Sequence, residues 1–261
     1  MPVFYDQLNR PVNIPAMPQR IISVVPSQTE LLFALGVFNE LVGVTNYCVH
    51  PIEQVATKIK VGGTKTLNVN LIKNLRPDLI IANKEENDRE QINYLAKLYP
   101  VWISNVNDLP GALKMIGAIG SITGFEKESA TLTARIVDQF EKIHIPARRL
   151  KTMYLIWRKP YMAAGNDTFI SSMLHECGFI NALTEPRYPV LSSEELSDLD
   201  PDLVLLSSEP YPFKEKHIME IKKIVPRAIV AMVDGEIFSW YGSRLLYAPD
   251  YFVRLRQTLK I

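Results

Sequence analysis

Short apolar runs alternate along this chain with longer stretches in which apolar residues recur every three or four positions. The runs at 20–25, 41–45, 79–82, 101–104, 152–157, 203–207 and 229–233 have strand length and little internal polarity, and 79–82 and 203–206 have the pattern of strands buried on both faces. Helical spacings fall at 31–35, 68–75, 89–98, 109–122, 126–143, 168–177, 214–223 and 244–259. Ser27-Gln28-Thr29-Glu30 has capping-box spacing and is expected to open the first helix, which Gly36 stops. Gly178 closes a later helix, and Pro146 ends the central helical stretch. Within 126–143, Leu132, Ile136, Phe140 and Ile143 form one apolar stripe. Residues 1–19, polar and rich in proline, read as an extended arm or a short edge hairpin. Strands and helices in alternation predict parallel sheets covered by helices, the α/β class.

One phrase occurs twice. Residues 74–82 read Asn-Leu-Arg-Pro-Asp-Leu-Ile-Ile-Ala, and residues 198–206 read Asp-Leu-Asp-Pro-Asp-Leu-Val-Leu-Leu. Each is a polar helix end, a proline that cannot continue the helix, an aspartate and a buried strand. A unit repeated once, at a distance far too long for a solenoid, predicts two similar α/β lobes with a ligand cleft between them. The expected division is 1–122 as the N-terminal lobe, 123–147 as a connecting backbone helix and 148–261 as the C-terminal lobe.

Composition narrows the classes. The 261 residues are 47% hydrophobic and 22% charged, with a net charge of +1, so nothing draws the whole chain to nucleic acid or to an anionic membrane. No apolar run has the length of a transmembrane helix. Cys48 and Cys177 are too few for a disulfide scaffold and too far apart in sequence for a metal pair. The first residues lack a basic segment followed by an apolar core, which reads as cytoplasmic; removal of a signal segment makes the address periplasmic.

The stretch Arg20-Ile-Ile-Ser-Val-Val-Pro-Ser-Gln-Thr-Glu-Leu-Leu-Phe-Ala-Leu-Gly36 resembles the opening of the helical-backbone binding proteins of ABC importers. The likeness continues through Val42-Gly-Val-Thr45, Val61-Gly-Gly63, the first Pro-Asp-Leu unit, Ala164-Gly-Asn-Asp167, Ser192-Ser-Glu-Glu-Leu196 and Asp234-Gly-Glu-Ile-Phe-Ser239. It spans roughly residues 20–250, and its wording is most similar to the cobalamin branch. The resemblance implies two Rossmann-like lobes joined by a single long helix. It also implies a bulky metal-complex ligand, cobalamin or a related corrinoid, handed to an ABC permease. The family tends to carry one docking glutamate per lobe. Aligning the two Pro-Asp units sets Glu194 opposite Asn70, so the second lobe keeps its acid and the first has an amide.

The residues expected to hold the ligand are Tyr47, Lys65, Asn83, Trp157, Tyr161, Trp240 and Arg244. The aromatics supply flat apolar area at low conformational cost, and Arg244 supplies a fork of donors for amide or phosphate oxygens. Tyr241 lies among them, and each aromatic has core packing as its alternative role. Lys65 follows Gly62-Gly63, where the backbone can be approached closely, and Asn83 ends a strand. His50 is read as a solvated loop histidine, with contact to the metal of a bound complex as its alternative. Ser27 is read as a helix N-cap, since Gly-x-Ser-x-Gly is absent. No catalytic residue, protein-bound metal or intrinsic cofactor is expected, and the chain is expected to be a monomer. Two alternatives remain at this level: a cytoplasmic carrier or sensor of a corrinoid, haem or siderophore that works without a permease, and a cleft enzyme. The enzyme lacks a paired acid and base, a nucleophile motif and a metal triad.

Overall fold

We describe residues 2–145 and 147–261 of a computed structural model of the chain. Two compact units emerge. The first comprises residues 2–106, 110–136 and 241–244; the second comprises 107–109, the described part of 137–240, and 245–261.

The first unit begins with the hairpin β1 (Val3–Tyr5) and β2 (Pro11–Asn13), the edge hairpin expected of the proline-rich start. There follow β3 (Ile21–Ser23), α1 (Pro26–Leu35), β4 (Leu41–Val44), α2 (Ile52–Ala56), β5 (Ile59–Lys60), α3 (Val69–Leu75), β6 (Leu79–Asn83), α4 (Arg89–Ala96) and β7 (Val101–Ser104). Among the described residues these strands form a five-stranded parallel sheet in the order β5-β4-β3-β6-β7. Its core packs Ile22, Val24, Ile80 and Ala82 of the sheet region against Ile72, Ile92 and Leu95 of the helices. The helices α5 (Leu109–Thr123) and α6 (Glu126–Glu141) come next. Three of the four stripe residues, Leu132, Ile136 and Phe140, are buried on α6, while Ile143 lies past the helix end and is half-buried.

The second unit contains β8 (Lys151–Trp157), β9 (Tyr161–Ala163), α7 (Phe169–Glu176), β10 (Ile180–Asn181), β11 (Val190–Leu191), α8 (Ser193–Asp198), β12 (Leu203–Ser207), α9 (Glu215–Ile224), β13 (Ile229–Val233), α10 (Gly235–Ser239) and α11 (Ala248–Leu259). Its sheet runs β11-β9-β8-β12-β13, with β10 also paired to β8. Here β8, β12, β13 and β10 are parallel, while β9 and β11 are antiparallel additions. Met153, Leu155, Val204 and Leu206 pack on Ile221 and Val225 of α9 and its end.

The repeated Pro-Asp phrase has the same job in both units. Asp78 accepts the backbone N–H groups of Gln19 and Arg20 at 2.7 and 2.8 Å, where the chain enters β3. Asp202 accepts the N–H of Lys151, where the chain enters β8, at 2.9 Å. The basic side chain on each entering strand returns the contact. Arg20 donates to the carbonyl of Leu75 at the end of α3, and Lys151 donates to the carbonyl of Leu199 after α8. Each aspartate therefore latches its strand onto the neighbouring central strand, and each basic residue caps carbonyls that a helix end leaves unpaired.

Two local expectations change. The capping box at Ser27 does not form. Helix α1 starts earlier, with Pro26 in its first turn and Val25 as an extended N-cap without a side-chain bond, because proline presets the helical φ. Ser27 is consequently a buried residue within the helix rather than its cap. The final helical stretch is split: Ser243–Leu246 is a short 3-10 turn, and Pro249 helps start α11 anew. The short elements α2, β5, β9, β10, β11 and α10 lie in stretches too brief to show a period. The expectation placed on Pro146 lies outside the described residues.

Candidate functional site

The parallel strands of each unit end in loops that carry the chemistry, as open α/β sheets tend to do. In the first unit Tyr47 follows β4 and is 62% exposed. Its ring borders Gly63, where an added Cβ would stand 3.3 Å from Tyr47 Cε2. Lys65 donates from Nζ to the carbonyls of Glu85 and Asn87, at 2.5 and 3.2 Å, and so ties the Gly-Gly loop to the turn after β6. Asn83 is buried, and its amide is spent within the unit. Nδ2 donates to Ser104 Oγ at 2.9 Å, and Oδ1 accepts from the N–H groups of Glu85 and Glu86. Asn87 completes the turn by donating to the carbonyls of Val24 and Thr64.

Residues 241–244 belong to the same unit. Gly242 lets this segment press on α1, since a Cβ there would meet the carbonyl oxygen of Ser27 at 2.9 Å. Tyr241 donates to Glu86 Oε1 at 2.6 Å; burial, and then the carboxylate beside it, push its hydroxyl well above the ordinary tyrosine range. Arg244 makes a two-pronged ion pair with Glu30 of α1, at 2.8 and 3.1 Å, with both side chains largely buried. The expected ligand arginine is therefore engaged with a carboxylate 214 positions away, a partner that sequence spacing does not reveal.

In the second unit Trp157 ends β8, is 40% exposed and packs edge-on against Tyr211 with ring centroids 5.7 Å apart. Tyr161 opens β9 and donates to Glu220 at 2.5 Å, while Arg158 donates to both oxygens of the same carboxylate at 2.8 and 2.7 Å. The Arg158 bonds hold the Glu220 carboxyl down at about 2. Burial, followed by the bond to Glu220, pushes the Tyr161 hydroxyl up to about 12. Trp240, in contrast, is only 7% exposed, and its indole N–H donates to Glu209 Oε1 at 3.0 Å. Ser239 donates to the same oxygen at 2.7 Å. Burial raises the Glu209 carboxyl despite these donors.

Of the expected ligand aromatics, Tyr47 and Trp157 present exposed faces, Tyr161 is half-buried, and Trp240 is an inward side chain held by Glu209. Glu209, Tyr211 and Glu220 were not singled out from the sequence, and Glu30 was read only as part of a helix cap. Glu209 and Tyr211 had one available signal, their position just after a buried strand at its carboxyl end. The matched pair Asn70 and Glu194 is exposed, each the second residue of its helix, α3 or α8. The capping box expected at Ser192 and Glu195 is present. Among the described residues no cluster of histidine, cysteine and acidic side chains could hold a metal ion, and both cysteines are free and buried. No described helix is long and apolar enough to cross a membrane.

Two units built on largely parallel sheets covered by helices place the chain in the α/β class. The family model described as periplasmic binding protein matches residues 21–227, and the chain belongs to that family. The Vitamin B12-binding protein of Pectobacterium carotovorum is 25% identical over 251 residues, covering 90% of this chain and 87% of its own. An uncharacterized ABC transporter substrate-binding lipoprotein of Bacillus subtilis, YvrC, is 26% identical over 212 residues, covering 77% of this chain and 67% of its own. Among solved structures, the periplasmic vitamin B12 binding protein BtuF of Vibrio cholerae superposes with a TM-score of 0.77 at 21% identity, covering 94% of this chain and 99% of its own. The periplasmic heme-binding protein BhuT in complex with two hemes gives 0.78 at 22%, covering 92% and 98%. The molybdate periplasmic binding protein MolA of Haemophilus influenzae gives 0.80 at 15%, covering 100% and 91%. At these identities the superpositions speak to the fold, which is the two-lobed α/β architecture of such receptors.

Proposed function

We propose that this protein is a non-catalytic receptor for a bulky, flat metal complex of the corrinoid or haem type, and that it hands this ligand to an ABC importer. The observation that carries the reading is an exposed aromatic at the carboxyl end of a parallel strand in each unit, Tyr47 after β4 and Trp157 at the end of β8. Aromatic faces suit a planar macrocycle because they bury large area at small conformational cost. The relatives named for vitamin B12 support the corrinoid choice. The substrate-binding lipoprotein relative supports the partnership with an importer and an address outside the cytoplasm.

The test is titration of the purified chain with cyanocobalamin, cobinamide, haemin and a ferric siderophore, followed by visible absorbance and calorimetry. One of them binds at micromolar concentration or tighter. Trp157→Ala then weakens that ligand by about 1–3 kcal/mol, as a hot-spot aromatic does, with melting temperature nearly unchanged. Failure of all four at micromolar concentration overturns the reading.

The matched helix positions Asn70 and Glu194 extend the proposal to docking. Glu194 is exposed in the first turn of α8, free to meet an arginine of a permease, and Asn70 offers an amide without charge at the equivalent place.

A further inference from the structure

The second unit has a cavity at the other end of its sheet, away from Trp157 and Glu209. It lies where the amino ends of β8, β10, β12 and β13 meet the last turn of α11, and it encloses about 620 Å³, within the range of small-molecule sites. Leu150 and Phe179 give it an apolar wall. Arg148, Arg227, Arg256 and Lys260 supply four positive side chains, against the two carboxylates of Asp200 and Asp202.

Arg256 sets the chemistry. It is 7% exposed, and its Nη1 is buried without a hydrogen-bond partner. A guanidinium stays charged at any physiological pH, so burial does not neutralise it. Both acids in the wall are committed elsewhere. Asp200 pairs with Arg227 at 2.6 Å, and Asp202 accepts the N–H of Lys151. Cys177 lies within the field of Arg256, but burial pushes its thiol up to about 12, so it provides no thiolate. The carbonyls at the end of α11 favour a cation there but leave Nη1 unbonded. Arg256 lines the cavity, and no described acid bonds its buried Nη1, so its positive charge is uncompensated where an anion could approach.

We propose that this cavity is a second ligand site, which takes a small organic oxyanion, a carboxylate or phosphate monoester, with its oxygens on Arg256 and its apolar part against Phe179 and Leu150. Arg148 and Lys260, both exposed, attract the anion from solvent. The site is independent of the corrinoid reading.

Calorimetry of the full chain with phenyl phosphate, benzoate and inorganic phosphate tests it. Phenyl phosphate or benzoate binds one per chain, more tightly than inorganic phosphate, and weakens as salt rises; which of the two binds better identifies the oxyanion. Arg256→Gln weakens that binding by about tenfold or more, and Arg256→Lys restores part of it. If Arg256→Gln fails to fold, the rim variant Arg148→Gln/Lys260→Gln decides, with a loss of about threefold or more expected. Absence of saturable binding to the wild type overturns the proposal. So does unchanged affinity in a folded Arg256→Gln protein, or in the rim variant where that serves as the test.

Discussion

Glu209 holds a half-buried carboxylate between the indole of Trp240 and the hydroxyl of Ser239, and this fixes how its charge acts on stability. Burial raises its folded pKa above the ordinary 4.5, so the native state holds the proton more tightly than the unfolded chain. The stabilisation from that proton is complete below about pH 4.5 and is lost as pH rises through the raised folded value. Glu209→Gln keeps an acceptor for Trp240 and removes the charge. It should flatten the fall in melting temperature above pH 4.5, and a scan of wild type and variant across pH 4–8 checks this. Glu220 acts with the opposite sign. Arg158 and Tyr161 hold its folded pKa at about 2, so its contribution is present above 4.5 and lost as pH falls toward 2. Glu220→Gln should therefore lower the melting temperature at pH 7 and shrink its drop between pH 4.5 and 2. Arg244 is a third case, because its pair with Glu30 is largely buried. Arg244→Ala leaves that carboxylate without its main cation and should cost about 2–4 kcal/mol in urea unfolding. A ligand contact unsupported by Glu30 would lower affinity and leave stability nearly unchanged.

At the scale of elements, the two Pro-Asp latches were visible as a repeated phrase, while their use was not. That Asp78 and Asp202 each catch the N–H of an entering strand depends on β3 lying beside β6 and β8 beside β12. Asp202→Ala should cost about 0.5–1.5 kcal/mol, the worth of one ordinary hydrogen bond. Asp78→Ala should cost more, since two N–H groups lose their acceptor. Chemical denaturation of both variants gives the order. The corner between α5 and α6 is tighter still. A Cβ on Gly120 would collide with Ser129 and stand 2.9 Å from the carbonyl of Phe125, so Gly120→Ala should destabilise by about 2–3 kcal/mol despite alanine's better helix propensity. Periodicity located α5 and α6 within a few residues, yet it carries no sign of this close approach.

For the whole molecule, family membership rests on a match across residues 21–227, and the proposed docking surface is the feature most open to test. Asn70 and Glu194 head equivalent helices, α3 and α8, in the two units. If they dock a permease through arginines, wild type should bind weakly on one side, and Asn70→Glu should strengthen binding in a salt-sensitive way. Binding of chain to permease in detergent, measured at two ionic strengths, checks the expectation. No effect from either Asn70→Glu or Glu194→Ala removes docking from these helices.

The amino-acid sequence alone determined what is local. Strands such as β6 and β12 are legible because their first four residues are all apolar, helices such as α6 because their stripe repeats, and the capping box of α8 because its residues are three apart. Linked motifs also pointed to the family, which the match across residues 21–227 shows. Tertiary structure decided what depends on distance through space. Glu30 with Arg244, Glu86 with Tyr241 and Glu209 with Trp240 are pairs that no spacing announces, and they fix the side chains of two expected ligand positions, Arg244 and Trp240, and of Tyr241 beside them. The unpartnered Arg256 belongs to the same class, because whether a charge finds a counter-ion depends on which strand ends the sheet gathers around it.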